Sequence, residues 1–411
     1  MTVSPVAPDS EALRLAATSG LLVLSLFCAN LLLRDRYRRV RLPLALFFLA
    51  GAGDLLALPM VYLLEPQAPA RITLGFELAE VPLSMVQPFL FWLYVYRLTG
   101  TAGATVPRMQ LILHLLPIGL ASLLYLYCMA LPAHALADLS MVPQTPTGVQ
   151  WVALGGMYAA TLAFYLLVPL YAVLILRRLK AYRHRLKDHF ASTEGRELAW
   201  TRWLTLAVFC FWGVNVMSMA ADALISADTI TWPVQSLLLA IVVRYGLIWS
   251  LALWGLRQAP GLEPPTPRVS AMLTPPQDPP KYERSALASD RLSRIAGKIE
   301  RLMAQDRLYL QPNLSLWDLA DQIGVSTHYA SQALNEKLGE RFFDYVNRWR
   351  VRHAAEQLRT SEATILTIAY DAGFNARSSF YTAFKREYGM TPSAYRESKQ
   401  TERTAPLAKS H

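Results

Sequence analysis

Ile368-Ala-Tyr-Asp-Ala-Gly-Phe-Asn375 repeats, 49 residues further along, the pattern of Leu319-Ala-Asp-Gln-Ile-Gly-Val-Ser326. Ala369 stands where Ala320 stood, Gly373 where Gly324 stood, Phe374 for Val325 and Asn375 for Ser326. Each position has a physical role. The small residue lets two helices approach. The glycine takes the positive φ of a tight turn. The apolar residue after it fills the core, and the Ser or Asn caps the next helix. One such helix-turn-helix match is weak, because small helical hairpins are common. Two in tandem are far more specific.

Working outward, Ser315-Leu-Trp-Asp318 is a capping-box-like start for the first unit, with Ser315 as N-cap. Its second helix is expected to run to about Leu338. The second unit's final helix runs to about Tyr388 and stops at Gly389, a C-terminal glycine signal. Between the units, Phe342 to Leu358 reads as one long helix bearing Arg348, Arg350 and Arg352. Upstream, from about Ser289, Leu292, Ile295, Ile299 and Leu302 make an apolar stripe of period 3.6, with Arg291, Arg294, Lys298 and Arg301 on the remaining surface. That stripe is expected to pack on its own domain; a dimerisation or relay role is the alternative. Phe380, Phe384 and Tyr388 recur at helical spacing and read as core.

Residues 290–397 resemble the AraC/XylS-type DNA-binding domain. The likeness is carried by Ile368-Ala-Tyr-Asp-Ala-Gly-Phe374, by Ser379-Phe-Tyr-Thr-Ala-Phe-Lys385 and by Gly389-Met-Thr-Pro-Ser-Ala-Tyr-Arg396. Phe342-Phe-Asp-Tyr-Val-Asn-Arg-Trp-Arg350 is similar to that family's linker helix. The resemblance implies two recognition helices entering successive major grooves on one face of double-stranded DNA, about one helical turn apart. Carried over, the base-reading positions are His328, Ser331 and Gln332 in the first unit, and Arg377, Ser378 and Thr382 in the second. Gln332 suits adenine and Arg377 suits guanine. Ser326, Lys337, Arg341, Asn375, Lys385 and Arg386 fall at phosphate-contacting places, which position without specifying. The first unit departs from the family at Leu334 and Asn335, where many members carry Phe followed by Lys, and Glu336 offsets Lys337. Weaker anchoring is expected there.

The rest of the chain is of another kind. Of its 411 residues 53% are hydrophobic and only 17% charged, against roughly 25% charged in ordinary soluble domains. Mean hydropathy is +0.24. Residues 281–411 hold 20 Lys/Arg against 15 Asp/Glu, a polar, basic segment. Cys28, Cys128 and Cys210 all lie in apolar runs, which excludes a disulfide-stapled secreted module.

Seven apolar runs, near 12–33, 42–64, 72–96, 109–131, 151–176, 200–224 and 234–256, are each long enough to cross a hydrocarbon core of ~30 Å. The first lacks the basic leader of a cleavable signal peptide; its basic cluster, Arg34, Arg36, Arg38, Arg39 and Arg41, follows it. Loops after the first, third and fifth runs are rich in Lys and Arg, and those after the second, fourth and sixth carry almost none. The positive-inside rule then puts the N-terminus outside and the C-terminal domain in the cytoplasm. Trp92, Trp200, Trp203 and Trp254 fall at inner ends, Trp151 and Trp232 at outer ends.

Ionisable residues within spans, Asp54, Glu77, Glu80, Asp222 and Arg244, are costly and invite partners. Arg244, Asp54 and Glu80 all fall roughly 12–18 Å below the outer edge. They are candidates for an ion pair in the bundle interior, either fixing helix packing or forming a ligand or proton site. His114 and Asn215 read as interhelical hydrogen-bond partners.

Residues 258–281 hold eight of the 26 prolines and read as a semi-rigid spacer, with proteolytic release the alternative. The expected organisation is all-α: a seven-helix transmembrane bundle (1–257), a Pro-rich linker (258–288), a cytoplasmic all-helical domain with two helix-turn-helix motifs (289–397) and a flexible tail (398–411). The whole resembles membrane-embedded AraC-type regulators of the bacterial inner membrane. Its expected partners are DNA, the lipid bilayer and a small-molecule or envelope signal, with RNA polymerase and a second copy of the chain as further candidates. No catalytic constellation, metal set or cofactor motif is present in the sequence. The competing reading is a membrane receptor or transporter whose tail binds a protein, which would lack the steep salt dependence of phosphate contacts.

Overall fold

The computed structural model describes residues 8–34, 37–64, 69–100, 105–132, 135, 147–224, 234–258, 261–262 and 283–404. Among these the regular structure is helical; the single extended contact is an antiparallel bridge between Phe190 and Ser315. The helices are α1 (Pro8–Leu33), α2 (Arg38–Leu55), α3 (Ala57–Leu64), α4 (Ala70–Leu78), α5 (Glu80–Leu98), α6 (Arg108–Ala130), α7 (Gly148–His189), α8 (Ala199–Leu224) and α9 (Val234–Arg257). Then come α10 (Glu283–Ala304), α11 (Leu316–Ile323), α12 (Thr327–Glu336), α13 (Phe342–Thr360), α14 (Ile365–Asp371), α15 (Arg377–Tyr388) and α16 (Pro392–Thr404). The chain divides into two compact units. One is Met1–Leu179 with Leu198–Gly261, the other Lys180–Glu197 with Leu262–His411.

In the first unit α1 packs on α2, α2 on α5 and α5 on α6. Two of the expected runs are each split into two helices, and proline explains both splits. Pro59 has no N–H for the carbonyl of Leu55, where α2 ends, and Pro82 has none for Leu78, where α4 ends. Five segments are long and apolar enough to cross a membrane: Ala12–Leu33, Arg38–Leu64, Arg71–Leu98, Arg108–Ala130 and Gly148–His189. They coincide with the first five expected runs. The sixth and seventh correspond to α8 and α9; Trp232 and the side chains of Asn215 and Asp222 lie outside the described residues, as does most of the Pro-rich stretch.

Buried Arg41 donates from Nη2 to the carbonyls of Leu256 (2.7 Å) and Gln258 (3.0 Å), a cation closing the C-terminus of α9. Arg178 donates to Thr99 Oγ1 (2.9 Å) and stacks on the Tyr96 ring. His114 Nδ1 meets the Tyr171 hydroxyl at 2.8 Å, joining α6 to α7 as expected of an interhelical partner. Large apolar side chains such as Leu116, Leu120 and Leu123 on α6, and Leu162, Leu166 and Leu170 on α7, remain exposed.

The second unit has two cores sharing one helix. Leu292, Ile295, Ile299, Leu319, Ile323, Ala330 and Leu334 surround Phe342, Tyr345 and Val346 of α13. Ile368, Ala369, Phe374, Phe380 and Phe384 surround Val351, Ala354 and Leu358 of the same helix. The apolar stripe of α10 is therefore spent inside its own domain. α10 begins at Glu283, within the stretch read as linker, and α16 runs through the expected boundary at 397 to Thr404.

Candidate nucleic-acid interface

The two turns are built alike. Gly324 sits at φ 69° and Gly373 at φ 91°. Val325 N–H donates to the Ala320 carbonyl and Phe374 N–H to that of Ala369, each at 3.0 Å. At Gly373 a side chain is excluded twice over, since a Cβ would lie 2.8 Å from the Tyr309 carbonyl oxygen. Ser315 and Asp318 form the expected reciprocal capping box at the start of α11. The expected caps of the recognition helices differ. Ser326 holds the N-cap place of α12 but makes no capping bond, and α15 starts from Ala376, one residue beyond Asn375. The Asn375 amide is occupied elsewhere: Nδ2 donates to Ser192 Oγ (2.9 Å) and Asn313 Oδ1 (3.0 Å).

The expected reading positions fall near the starts of α12 and α15. His328 is exposed, while Ser331 and Gln332 are half-buried. Asn335 Nδ2 donates to the Ser331 carbonyl at 2.9 Å, and Gln332 Nε2 to Glu336 Oε1 at 2.9 Å. On α15, Arg377, Ser378 and Thr382 are exposed along one edge. The Arg377 guanidinium lies 4.9 Å from the centre of the Tyr381 ring and donates to its hydroxyl. Slight burial pushes the Tyr381 hydroxyl up, but hydrogen bonds with Ser393 and Arg377, and the charge of Arg377, hold it below the usual tyrosine value.

The expected phosphate contacts are differently engaged. Lys337 Nζ donates to Ser289 Oγ (2.6 Å), Arg341 pairs with Asp188 (3.7 Å) and Arg386 pairs with Asp344 of α13 (2.5 Å). Lys385 is exposed and has no partner among the described residues.

Two features escape a reading by periodicity. Arg350, one of three arginines on the linker helix, is fully buried. Its Nε donates to the Tyr309 carbonyl and its Nη2 to that of Gln311, both at 2.7 Å, and Nη1 reaches the carbonyl of Ala191 and Asn347 Oδ1. Burial pushes its pKa down to about 10, partly offset by the carboxylate of Glu194. The second feature is the segment 180–197. It was read as a basic loop, yet it belongs to the helix-turn-helix unit. Phe190 and Ala191 are buried, and Ala191 N–H donates to the Leu314 carbonyl at 3.0 Å. Phe190 is the only large apolar side chain between Leu186 and Leu198, the one sequence signal that pointed there.

In the first unit, Asp54, Glu80 and Arg244 line one cavity of about 820 Å³ together with Glu77, Ser84 and Gln87. The three expected charges thus meet at one cavity, without a direct ion pair between Arg244 and either Asp54 or Glu80.

Residues 319–398 match the family described as "Helix-turn-helix domain". A Streptomyces lividans protein described as an AraC-like transcription regulator is 39% identical over 80 residues, 20% of this chain and 26% of its own length. The YesN transcriptional regulatory protein of Bacillus subtilis is 32% identical over 107 residues, 25% of this chain and 28% of its own. The C-terminal domain of AraT, a response regulator from Geobacillus stearothermophilus, is 30% identical and covers 26% of this chain and 84% of that one, with a TM-score of 0.23. The chain spans little more than a quarter of the length of these curated relatives. Two matched turn units on one linker helix, with one relative described as an AraC-like regulator and another as a transcriptional regulatory protein, make residues 319–398 an AraC-type helix-turn-helix domain.

Proposed function

We propose that the chain is a membrane-embedded, sequence-specific transcription regulator. Its apolar half crosses the bacterial inner membrane seven times, with the N-terminus outside, and receives a signal there. Its second unit binds promoter DNA from the cytoplasm. The observation that carries the reading is the pair of similarly built turns hung on α13, each followed by a helix that carries exposed polar side chains. Arg377, Ser378 and Thr382 read bases from α15, and His328, Ser331 and Gln332 read from α12. Lys385, Arg386, Arg341, Lys337, Asn375 and Ser326 hold phosphates.

The exposed leucines of α6 and α7 support a lipid-facing surface, since contiguous apolar patches of that extent are rare on soluble monomers. The cavity lined by Asp54, Glu80 and Arg244 is the signal site on this reading, because charges at that depth are seldom kept without a function. RNA polymerase and a second copy of the chain complete the partner set.

The test is selection of duplexes from a random library on full-length protein in nanodiscs, at two salt concentrations. A recovered site with two elements about ten base pairs apart supports the reading. Binding without sequence enrichment at either salt concentration refutes it.

A further inference from the structure

The end of α7 and the turn that follows it lie against the helices assigned to DNA: Asp188 pairs with Arg341, a residue assigned to phosphate, and Glu194 meets Ser379 on α15. Its root is fixed. Phe190 bridges Ser315, the N-cap of α11, and Ala191 is part of the first core. His189 and Phe190 pack on Trp317, with ring centres 5.0 and 5.5 Å away. Its tip reaches the second unit. Ser192 Oγ accepts from Asn375, one oxygen of the Glu194 carboxylate accepts from Ser379 in the first turn of α15, and the other accepts from Ser192. Beside the root, Asp188 pairs with Arg341. The tip is closed on itself by Glu197, which accepts from Thr193 Oγ1 at 2.6 Å and pairs with Arg183.

A carboxylate at the first turn of a helix takes the place that backbone N–H groups and the helix dipole offer to any anion, a phosphate included. Ser379 follows directly on the reading residues Arg377 and Ser378. Glu194 therefore sits where a DNA strand would pass in the second half-site.

We propose that the tip Ser192–Glu194 is a built-in competitor of DNA, its Glu194 carboxylate standing in for a backbone phosphate at the start of α15, so that the docked tip and a bound duplex exclude each other. The inference rests on the DNA-binding reading above. The root explains how the device is retained: Phe190 and Ala191 stay seated while the tip swings clear. Ser192 and Thr193 are buried and Glu194 is half-buried, and what ties the tip to α15 and to Asn375 is a small set of polar contacts with no large apolar side chain among them. The tip is also the direct continuation of α7, which gives a change in that helix a route to the DNA surface.

The test uses full-length protein in nanodiscs and one labelled duplex taken from the library selection. Removing one charge-assisted contact from the closed form is expected to tighten binding about threefold to tenfold in Glu194→Ala, and less in Glu194→Gln, which keeps a hydrogen bond. Adding duplex to the unmodified protein is expected to speed amide exchange at 192–197 while Ala191 stays protected. Glu194→Ala binding no tighter than the parent overturns the proposal, as does unchanged exchange at 192–197 on saturation with duplex. Arg377→Ala separates the two readings. If that variant loses sequence preference while Glu194→Ala gains nothing, the domain reads DNA and the competitor is refuted. If Arg377→Ala changes nothing, the DNA reading itself falls.

Discussion

Replacing Arg350 by methionine tests whether the two helix-turn-helix units are held together by a buried cation. The guanidinium is fully buried and donates at 2.7 Å to the carbonyls of Tyr309 and Gln311, with a longer contact at 3.4 Å to that of Ala191. Methionine keeps most of the volume and removes every donor. Each buried acceptor left unpaired costs roughly 1–3 kcal/mol, so the two short bonds alone amount to about 2–6 kcal/mol. Burying a guanidinium is itself costly, and escaping that cost returns part of the loss, so a net loss of about 2–4 kcal/mol is expected. Against a total of about 5–15 kcal/mol for a domain, this leaves the second unit marginal. Amide exchange in urea on the full-length protein measures the loss, with earlier opening at 309–314 and at Ala191. The first unit, followed by exchange in α6, is expected to keep its midpoint. A loss under about 0.5 kcal/mol would refute the reasoning, because it would mean that these carbonyls find other donors or that the cation's burial cost equals everything it bonds.

Arg377→Ala is expected to weaken binding to the selected duplex by about 1–3 kcal/mol and to relax the sequence preference at one position of the site, read by competition with single-base variants. Lys385→Ala should weaken binding evenly across sequences and lower the salt slope by about 1, measured by titration at several salt concentrations. Arg244→Met should preserve folding and duplex affinity while abolishing the transcriptional response in a reporter strain; an unchanged response removes the cavity from signalling. Burial alone would raise the pKa of Glu197, but hydrogen bonds from Thr193 and Arg183 and the charges of Arg183 and Lys187 hold it below its ordinary 4.5. Its folded form is therefore the weaker proton binder. The stability it lends the 192–197 tip is complete above about pH 4.5 and is lost as pH falls through the depressed value, so amide protection there, taken against the intrinsic exchange rate at each pH, should fall at low pH and fall less in Glu197→Gln.

What could be read from the residues was whatever local chemistry decides. The turn glycines, the capping box at Ser315 and the stop at Gly389 are each set by a few neighbouring atoms, and all three are found as expected. The apolar runs were legible because length and composition alone mark them, and Pro59 and Pro82 altered only where two of them divide. The hydrogen-bond partners of charged side chains were not legible. Arg348, Arg350 and Arg352 stand two residues apart in one helix, yet only Arg350 turns inward, and it does so for carbonyls on a loop that periodicity does not locate. Lys337, Arg341 and Arg386 looked alike as phosphate contacts, but each is engaged by a group from a different element.

The least legible feature is the one that bears most on regulation. Residues 180–197 follow an apolar run and are rich in Lys, Arg and His, so charge counting assigns them to a membrane-flanking loop. Folding assigns them to the core of the DNA-binding unit, with Phe190 and Ala191 as buried as any residue of the repeat. A domain whose core is completed by a segment from between two apolar helices cannot be fully described by its contiguous stretch. The family match covers 319–398, both turns and the helices that follow them, and contains none of this segment. The added segment brings Asp188 to Arg341, one of the proposed phosphate contacts, and Glu194 to Ser379 on the first turn of α15. Burying Phe190 stabilises the domain whatever the role of 180–197, so the carboxylate on the first turn of α15 is the feature a passive spacer does not require, and it is accounted for if, as proposed, the docked tip holds the domain off DNA.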